Sequence, residues 1–293
     1  MSKEYKIHND GYGYLSAEFP AEYPNTHIES DMTDTMLKQK IDAILKTLTL
    51  EEKIGMLSAD GIMGQDTSAM SIDKSYGTGY WKGAARVGVP VMRCYDGPMG
   101  VIGNSGFETT RPSSEISLAC TFDREMAERY GALYARDNKA SAGNMQLGIQ
   151  TDLVRTLTTG RARDMFGEDW YLEGQLGSAM AKGLEDNNVL ACLKHVGGMG
   201  NTDEQTMMEN QLSIYEQIFR KDNSAHTVMT NYGSTNGQQA CADSYVLKEV
   251  FRNQWNWKGI VLTDWGGNYQ FTVDKGVTME TPSDSFNNLE AVK

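Results

Sequence analysis

Four apolar runs in this chain stop in the same manner, each followed by a chemically capable side chain. VPVMRCYDGP places Asp96 there, VLACLKH places Lys194 and His195, HTVMTNY places Asn231 and Tyr232, and GIVLTDWGG places Asp264 and Trp265. Together they offer two carboxylates, an ammonium, an imidazole and two aromatic rings. Such a set suits a polyhydroxylated ligand, whose hydroxyls need fixed donors and acceptors and whose apolar face rests on a ring. A carboxylate among them is a competent nucleophile. Each residue also has a plainer reading. Asp96 before Gly97-Pro98 opens a turn, Tyr232 is a packed ring with a bonded hydroxyl, and Asp264 is a helix cap. A lysine directly after an apolar run is costly to bury without a role, and recurrence at four run ends favours a shared purpose.

The elements that must position these residues alternate in kind. Short apolar runs (VPVMRCY, MQLGI, VLACL, HTVMTN, GIVLT and GVTME) read as strands. Between them, residues 123–142, 171–186, 209–222 and 243–252 carry apolar side chains at helical spacing. Strand and helix in alternation imply a parallel sheet, and the density of units is that of an α/β (β/α)8 TIM-like barrel, irregular or incomplete; a doubly wound sheet is the competing arrangement. In a parallel barrel every strand end opens on one face, so Asp96, Lys194, His195, Tyr232 and Asp264 converge there. Residues 1–33, polar and aromatic without a clear period, form an arm lying over a domain that spans 34–293. Leu37, Ile41, Ile44, Leu45 and Leu48 predict a helix, and Thr49-Leu50-Glu51-Glu52 is a capping box that starts a second one, ending near Gly61. Residues 61–88, rich in Gly, Ser and Thr, predict a loop.

Bulk properties narrow the partners. With 27 basic and 39 acidic side chains the formal charge is −12, and no Lys/Arg cluster exists to grip nucleic acid or an anionic membrane. No apolar run reaches the roughly 18 residues of a spanning helix. The first twenty residues lack the apolar core of a signal peptide, so a cytoplasmic location is expected. Cys94, Cys120, Cys192 and Cys241 form no CxxC pair and read as buried free thiols; His8, His27, His195 and His226 are too scattered for a histidine metal site. VGGMG lacks the lysine of a phosphate loop. Neither metal nor cofactor is expected.

The order of longer blocks carries a resemblance. TLEEKIGML, VPVMRCYDGPMGV, RPSSEISLACTFDREMAERYG, GRARDMFGEDWYLEG, LACLKHVGG, HTVMTNYGSTNG and WKGIVLTDWGG succeed one another over most of the chain. In this the chain resembles the N-terminal, barrel half of glycoside hydrolase family 3, the β-glucosidase and exo-glycanase family. The resemblance implies a retaining exo-β-glycosidase acting on terminal β-linked sugars, with Asp264 as nucleophile. It implies that Trp265 walls the sugar subsite and that Asp96, Arg161, Lys194 and His195 bind the sugar's hydroxyls. Tyr232 would sit beside the nucleophile with Met229 nearby, and Glu168-Asp169 would support the wall. Lysine and arginine neighbours are expected to keep the nucleophile ionised.

The chain also departs from the family's pattern. Retaining hydrolysis needs a second carboxyl group about 5–5.5 Å from the nucleophile. In most of the family that glutamate lies in a further α/β domain, which this chain does not include, so a C-terminal domain or a partner chain is expected to supply it. The loop GGMGNTDEQTMM has no histidine to serve instead and offers only Glu204. Arginines common after the DGPxGV motif and after the Lys-His pair are replaced by Ile102-Gly103 and by DEQT. A non-catalytic carbohydrate-binding subunit on the same scaffold is the alternative from a different class. A metal-dependent barrel hydrolase is a third, disfavoured by the scarcity of histidine.

Overall fold

The computed structural model describes residues 7–9, 15–17, 34–61, 77–102, 109–268, 270 and 272–281. Seven strands form one curled sheet in the order β11-β8-β7-β6-β5-β4-β3. These are β3 (Ala59–Gly61), β4 (Gly79–Trp81), β5 (Met92–Asp96), β6 (Met145–Gln150), β7 (Leu190–Val196), β8 (Thr227–Thr230) and β11 (Ile260–Leu262), while β9 (Ser234–Thr235) and β10 (Gln238–Gln239) form a separate antiparallel pair. Only β4 runs against its neighbours; all other pairings in the sheet are parallel. The predicted strand in GVTME joins the two edges. The amides of Thr278 and Met279 donate to the Val261 carbonyl (2.7 and 3.0 Å), while Ala59 donates to the Glu280 carbonyl and Glu280 to that of Leu57 (2.9 and 2.7 Å). Parallel bridges at Leu262↔Met279 and Ser58↔Glu280 thus seam β11 to β3. The architecture is an α/β barrel with one reversed strand.

Side-chain alternation separates two cores. Ala59, Trp81, Cys94, Met145, Leu147, Cys192, Met229, Leu262 and Met279 form one buried cluster, drawn from every strand around the ring: the barrel interior. Their sequence neighbours Tyr95, Leu193, Val228 and Val261 belong to the second and larger cluster, between sheet and helices. A strand's period of two makes this partition, because successive side chains point to opposite faces.

The helices over the outer face match the predicted ones within a few residues, and a short helix, α3 (Glu115–Ala119), precedes them. α4 (Arg124–Ala140) is capped by Asp123, which accepts from the Met126 amide, and α5 (Trp170–Glu185) by Asp169, which accepts from Tyr171 and Leu172. Glycine lets these two helices touch closely: a Cβ on Gly131 would lie 2.0 Å from the Met180 carbonyl, and one on Gly183 2.0 Å from that of Glu128. The predicted 209–222 helix divides into α6 (Glu204–Glu209), α7 (Gln211–Tyr215) and a π-helical stretch, Glu216–Lys221. A second π-helical stretch covers Tyr245–Gln254. No described helix is long and apolar enough to cross a membrane.

Near the N-terminus two expectations need correcting. α1 (Asp34–Thr47) forms as predicted, and Thr49 and Glu52 make the reciprocal capping box (2.9 and 3.2 Å). The capped helix α2 (Leu50–Gly55) ends well before Gly61, because the chain turns there to pair as β3 with β4. The predicted 61–88 loop is interrupted by β4 itself, whose Tyr80 and Trp81 are buried. Of the arm at 1–33, only β1 (Ile7–Asn9) and β2 (Leu15–Ala17), an antiparallel pair, lie within the described residues; its expected packing over the domain lies outside them. Cys94, Cys192 and Cys241 are buried thiols as expected, whereas Cys120 is exposed.

Candidate active site

The period of two that fills the barrel interior also supplies its mouth. Asp96, Lys194 and Asp264 each follow an interior residue by two positions (Cys94, Cys192 and Leu262), so all three point along the barrel axis at the C-terminal ends of β5, β7 and β11. There they meet in a cavity of about 260 Å³ lined by Thr78, Asp96, Leu147, Arg161, Lys194, His195, Met229, Tyr232, Asp264 and Trp265. The eight residues to which the resemblance gave a role as nucleophile, wall or sugar contact (Asp96, Arg161, Lys194, His195, Met229, Tyr232, Asp264 and Trp265) all line this one hollow. It is slightly below the roughly 300–1,000 Å³ of clefts that take drug-sized ligands, a scale suited to a single monosaccharide.

The charges inside are arranged as two sets. Lys194 Nζ, buried, donates to Asp96 Oδ1 at 2.5 Å. Burial alone would raise the Asp96 carboxyl, but the Lys194 ammonium outweighs it, with smaller help from the Gly97 amide and Arg161, and holds the carboxyl below the usual carboxylate range. The second set is centred on His195, whose ring stands between two carboxylates: Nδ1 lies 2.9 Å from Asp152 Oδ2, and Nε2 lies 3.3 Å from Asp264 Oδ2. The other Asp264 oxygen accepts from the Trp265 amide at 2.7 Å. Both oxygens of the candidate nucleophile are therefore oriented, and its close cationic-capable neighbour is His195 rather than Lys194, which is committed to Asp96. No helix starts at Asp264; Gly267 donates to its carbonyl in a tight turn (2.8 Å), so the helix-cap reading is excluded.

Aromatic side chains close one wall. The Trp265 ring lies over Gly79, where a Cβ would come within 2.9 Å of Trp265 Cζ2. The Tyr232 hydroxyl donates to the Trp265 carbonyl at 2.7 Å, and half of the Tyr232 side chain stays exposed at the mouth. Met229 is buried in the barrel interior directly beneath. The reversal of β4 brings its leading residue, Thr78, to the same face, where the Thr78 hydroxyl accepts from the Asp96 amide at 3.0 Å.

Four supporting residues went unremarked in the sequence. Gln150, at the end of β6, accepts from Arg161 Nη2 at 3.0 Å and has its amide nitrogen 3.3 Å from His195 Nδ1 and in contact with Asp152. Asp152 also accepts from the His195 amide at 3.2 Å. The run MQLGI is followed by Gln150-Thr151-Asp152, so the strand-end rule that found Asp96 and Asp264 reaches these two as well. Just before them Ile149 has φ +89, a strained left-handed conformation for a β-branched residue, coincident with a register shift against β7. The buried Glu115 carboxyl secures that bend by accepting from the Gln150 amide (3.0 Å), and burial pushes Glu115 well above the ordinary carboxylate range. Burial, followed by the nearby charges of Asp152 and Glu115, does the same to Glu173 behind the site. A non-proline cis peptide joins Lys194 to His195.

Other expectations fall elsewhere. Asp169 caps α5, and neither it nor the exposed Glu168 lines the hollow. Glu204 accepts from the Tyr245 hydroxyl on the outer face and lines neither this hollow nor its neighbour, so it is misplaced to act as the acid. Among the described residues no group of three His, Cys, Asp or Glu side chains is arranged to hold a metal ion. A larger cavity of about 550 Å³ adjoins the first and shares Arg161, His195, Tyr232 and Asp264 with it.

Comparison with known proteins gives a consistent set of relatives. Residues 73–287 match the profile of the glycosyl hydrolase family 3 N-terminal domain. Thermostable beta-glucosidase B of Acetivibrio thermocellus is 31% identical over 268 residues, covering 83% of this chain and 33% of its own length. Among solved structures, a beta-glucosidase from Streptomyces venezuelae in complex with D-glucose superimposes with a TM-score of 0.78 at 26% identity, over 85% of this chain and 34% of that one. Beta-glucosidase 3B from Thermotoga neapolitana, in complex with alpha-D-glucose, gives 0.75 at 27% identity, over 83% and 36%. The chain thus spans about a third of the length of the relatives it matches.

Proposed function

The chain belongs to glycosyl hydrolase family 3, and on that premise we propose that it is the nucleophile-bearing part of a retaining exo-β-glycosidase of the β-glucosidase kind. The observation that carries the proposal is the single monosaccharide-sized hollow in which Asp264 meets Asp96, Arg161, Lys194, His195, Met229, Tyr232 and Trp265. A terminal β-linked pyranose, glucose by analogy with the relatives, sits with its hydroxyls against Asp96, Lys194, His195 and Arg161 and its apolar face against Trp265. An Asp264 oxygen attacks the anomeric carbon; that bond forms as the bond to the leaving oxygen breaks, giving a covalent glycosyl-enzyme that water then hydrolyses.

The leaving oxygen needs a proton, and the acid that gives it must be protonated beforehand. Asp96 is unsuited, because Lys194 holds it in the ionised form. Asp152 accepts hydrogen bonds from both the backbone and the ring of His195. We place the acid in a C-terminal α/β domain or a partner chain, a reading supported by relatives about two and a half times as long.

An aryl 2-deoxy-2-fluoro-β-glucoside with a leaving group that needs no protonation tests the assignment. The expected result is a glycosyl mass increment on the peptide containing Asp264, absent in Asp264→Ala; labelling that persists in the variant overturns it. The commitment of Asp96, the other carboxylate lining the hollow, to Lys194 also fits the non-catalytic sugar-binding reading. That reading predicts sugar binding without any covalent adduct.

A further inference from the structure

We propose that Gln150 is a positioning residue with two tasks: it holds Arg161 ready for the sugar and it steadies the Asp152–His195 contact that aims His195 at the nucleophile. The inference rests on the glycosidase reading above and deepens it. Gln150 lines the larger cavity and not the hollow, so what it does for a sugar in the hollow it does through its neighbours.

The two tasks come from the two unlike ends of one amide. The Gln150 oxygen accepts from Arg161 Nη2 at 3.0 Å, and Asp164 accepts from Arg161 Nε at 3.2 Å. Acceptors on two nitrogens fix the plane of a guanidinium whose side chain is 48% exposed in the loop after β6. A ligand then meets an arginine already ordered and does not bear the entropy of ordering it. The Gln150 nitrogen donates to Asp152 and lies 3.3 Å from His195 Nδ1. Asp152 accepts from that ring nitrogen at 2.9 Å, and the opposite one, Nε2, faces Asp264 at 3.3 Å.

The partners also fix which way the amide points. A guanidinium only donates and an ionised carboxylate only accepts, so a single orientation of oxygen and nitrogen serves both. A carboxylate at position 150 would serve Arg161 alone, and a thioether neither. The backbone is secured separately from this head. The Gln150 amide donates to the buried Glu115 carboxyl at 3.0 Å, and Gln150 stands in register with Lys194 between β6 and β7. At 1% exposure, Gln150 has no bulk water at hand to replace a lost partner.

Gln150→Glu and Gln150→Met in the 293-residue chain test the assignment. Calorimetric titration with D-glucose reads affinity, and the rate of covalent labelling at Asp264 by a saturating aryl 2-deoxy-2-fluoro-β-glucoside reads the chemistry. Gln150→Glu keeps the acceptor for Arg161 and sets a like charge against Asp152. Its glucose affinity is expected within about twofold of wild type, while labelling slows about 10–100-fold. Gln150→Met removes both contacts and is expected to weaken glucose about tenfold as well as to slow labelling. A residue that only fills space does not separate affinity from rate in this way. Variants alike in both measures, or a Gln150→Met protein as tight and as fast as wild type, overturn the inference, while labelling of the wild type keeps the glycosidase reading. Gln150→Met adds no charge, so its result decides the matter even where Gln150→Glu does not fold. A wild type that forms no adduct at Asp264 removes both.

Discussion

Replacing Asp96 by Asn probes the asymmetry of the Lys194–Asp96 pair. The side chains are unequally placed: Lys194 is 5% exposed and Asp96 47%. Removing one partner of a fully buried pair costs about 3–5 kcal/mol, because an uncompensated charge stays inside. Asp96 opens to the cavity and solvent screens part of that cost, as at surface pairs worth about 0–1 kcal/mol, so Asp96→Asn is expected to cost about 2 kcal/mol at neutral pH. For a chain of this size that is a fall in Tm of about 4–8 °C. Lys194→Met leaves behind only the half-exposed carboxylate and is expected to cost under about 1 kcal/mol; the double variant should resemble Lys194→Met, giving a coupling energy of about 2 kcal/mol in magnitude. The pH dependence has a definite sign. Asp96 has a depressed folded-state pKa, so its contribution is present above the ordinary carboxylate pKa and disappears as pH falls through the lower, folded value. Urea unfolding of the four proteins at neutral pH and at a series of acidic pH values running well below the ordinary carboxylate pKa measures both effects. Additive single costs, or an Asp96→Asn variant as stable as the wild type at neutral pH, would refute the reasoning.

Three further outcomes follow from the same geometry. Asp152→Asn substitutes an amide at the oxygen that accepts from the His195 ring and backbone, so the imidazole loses its orientation toward Asp264. Covalent labelling at Asp264 is expected to slow about 10–100-fold with little change in Tm, as a misplaced catalytic neighbour predicts; an unchanged rate would make Asp152 purely structural. Gly79→Ala drives a methyl to 2.9 Å from the Trp265 ring, so a loss of about 1–3 kcal/mol and a changed tryptophan emission spectrum are expected in urea titration with fluorescence detection. The Glu185 carboxylate raises His226 above its ordinary value, so that pair stabilises below about pH 6.5 and its contribution is lost as pH rises through the folded-state pKa. His226→Gln should therefore be less stable than wild type at pH 6, by under about 1 kcal/mol since the ring is half exposed, and equal to it at pH 9.

Much of this site was legible in one dimension. The apolar runs marked the parallel strands, and the residues after them marked the mouth, because period two and strand termination are local properties that a sequence displays directly. Thr49 and Glu52 announced α2 for the same reason: a capping box closes within four residues. Only the tertiary structure decided what those residues touch. Lys194 and Asp96 stand 98 positions apart, and the choice of Asp96 for Lys194 and of Asp264 and Asp152 for His195 is made by the register of β5, β6, β7 and β11 around the ring. β4, three residues long and reversed, has too few positions for a period to be seen, and it exists because β3 and β5 lie on either side to pair with it. The seam between Val261 and Leu57 was likewise invisible, since its hydrogen bonds form only when the whole sheet has curled far enough to bring its edges together.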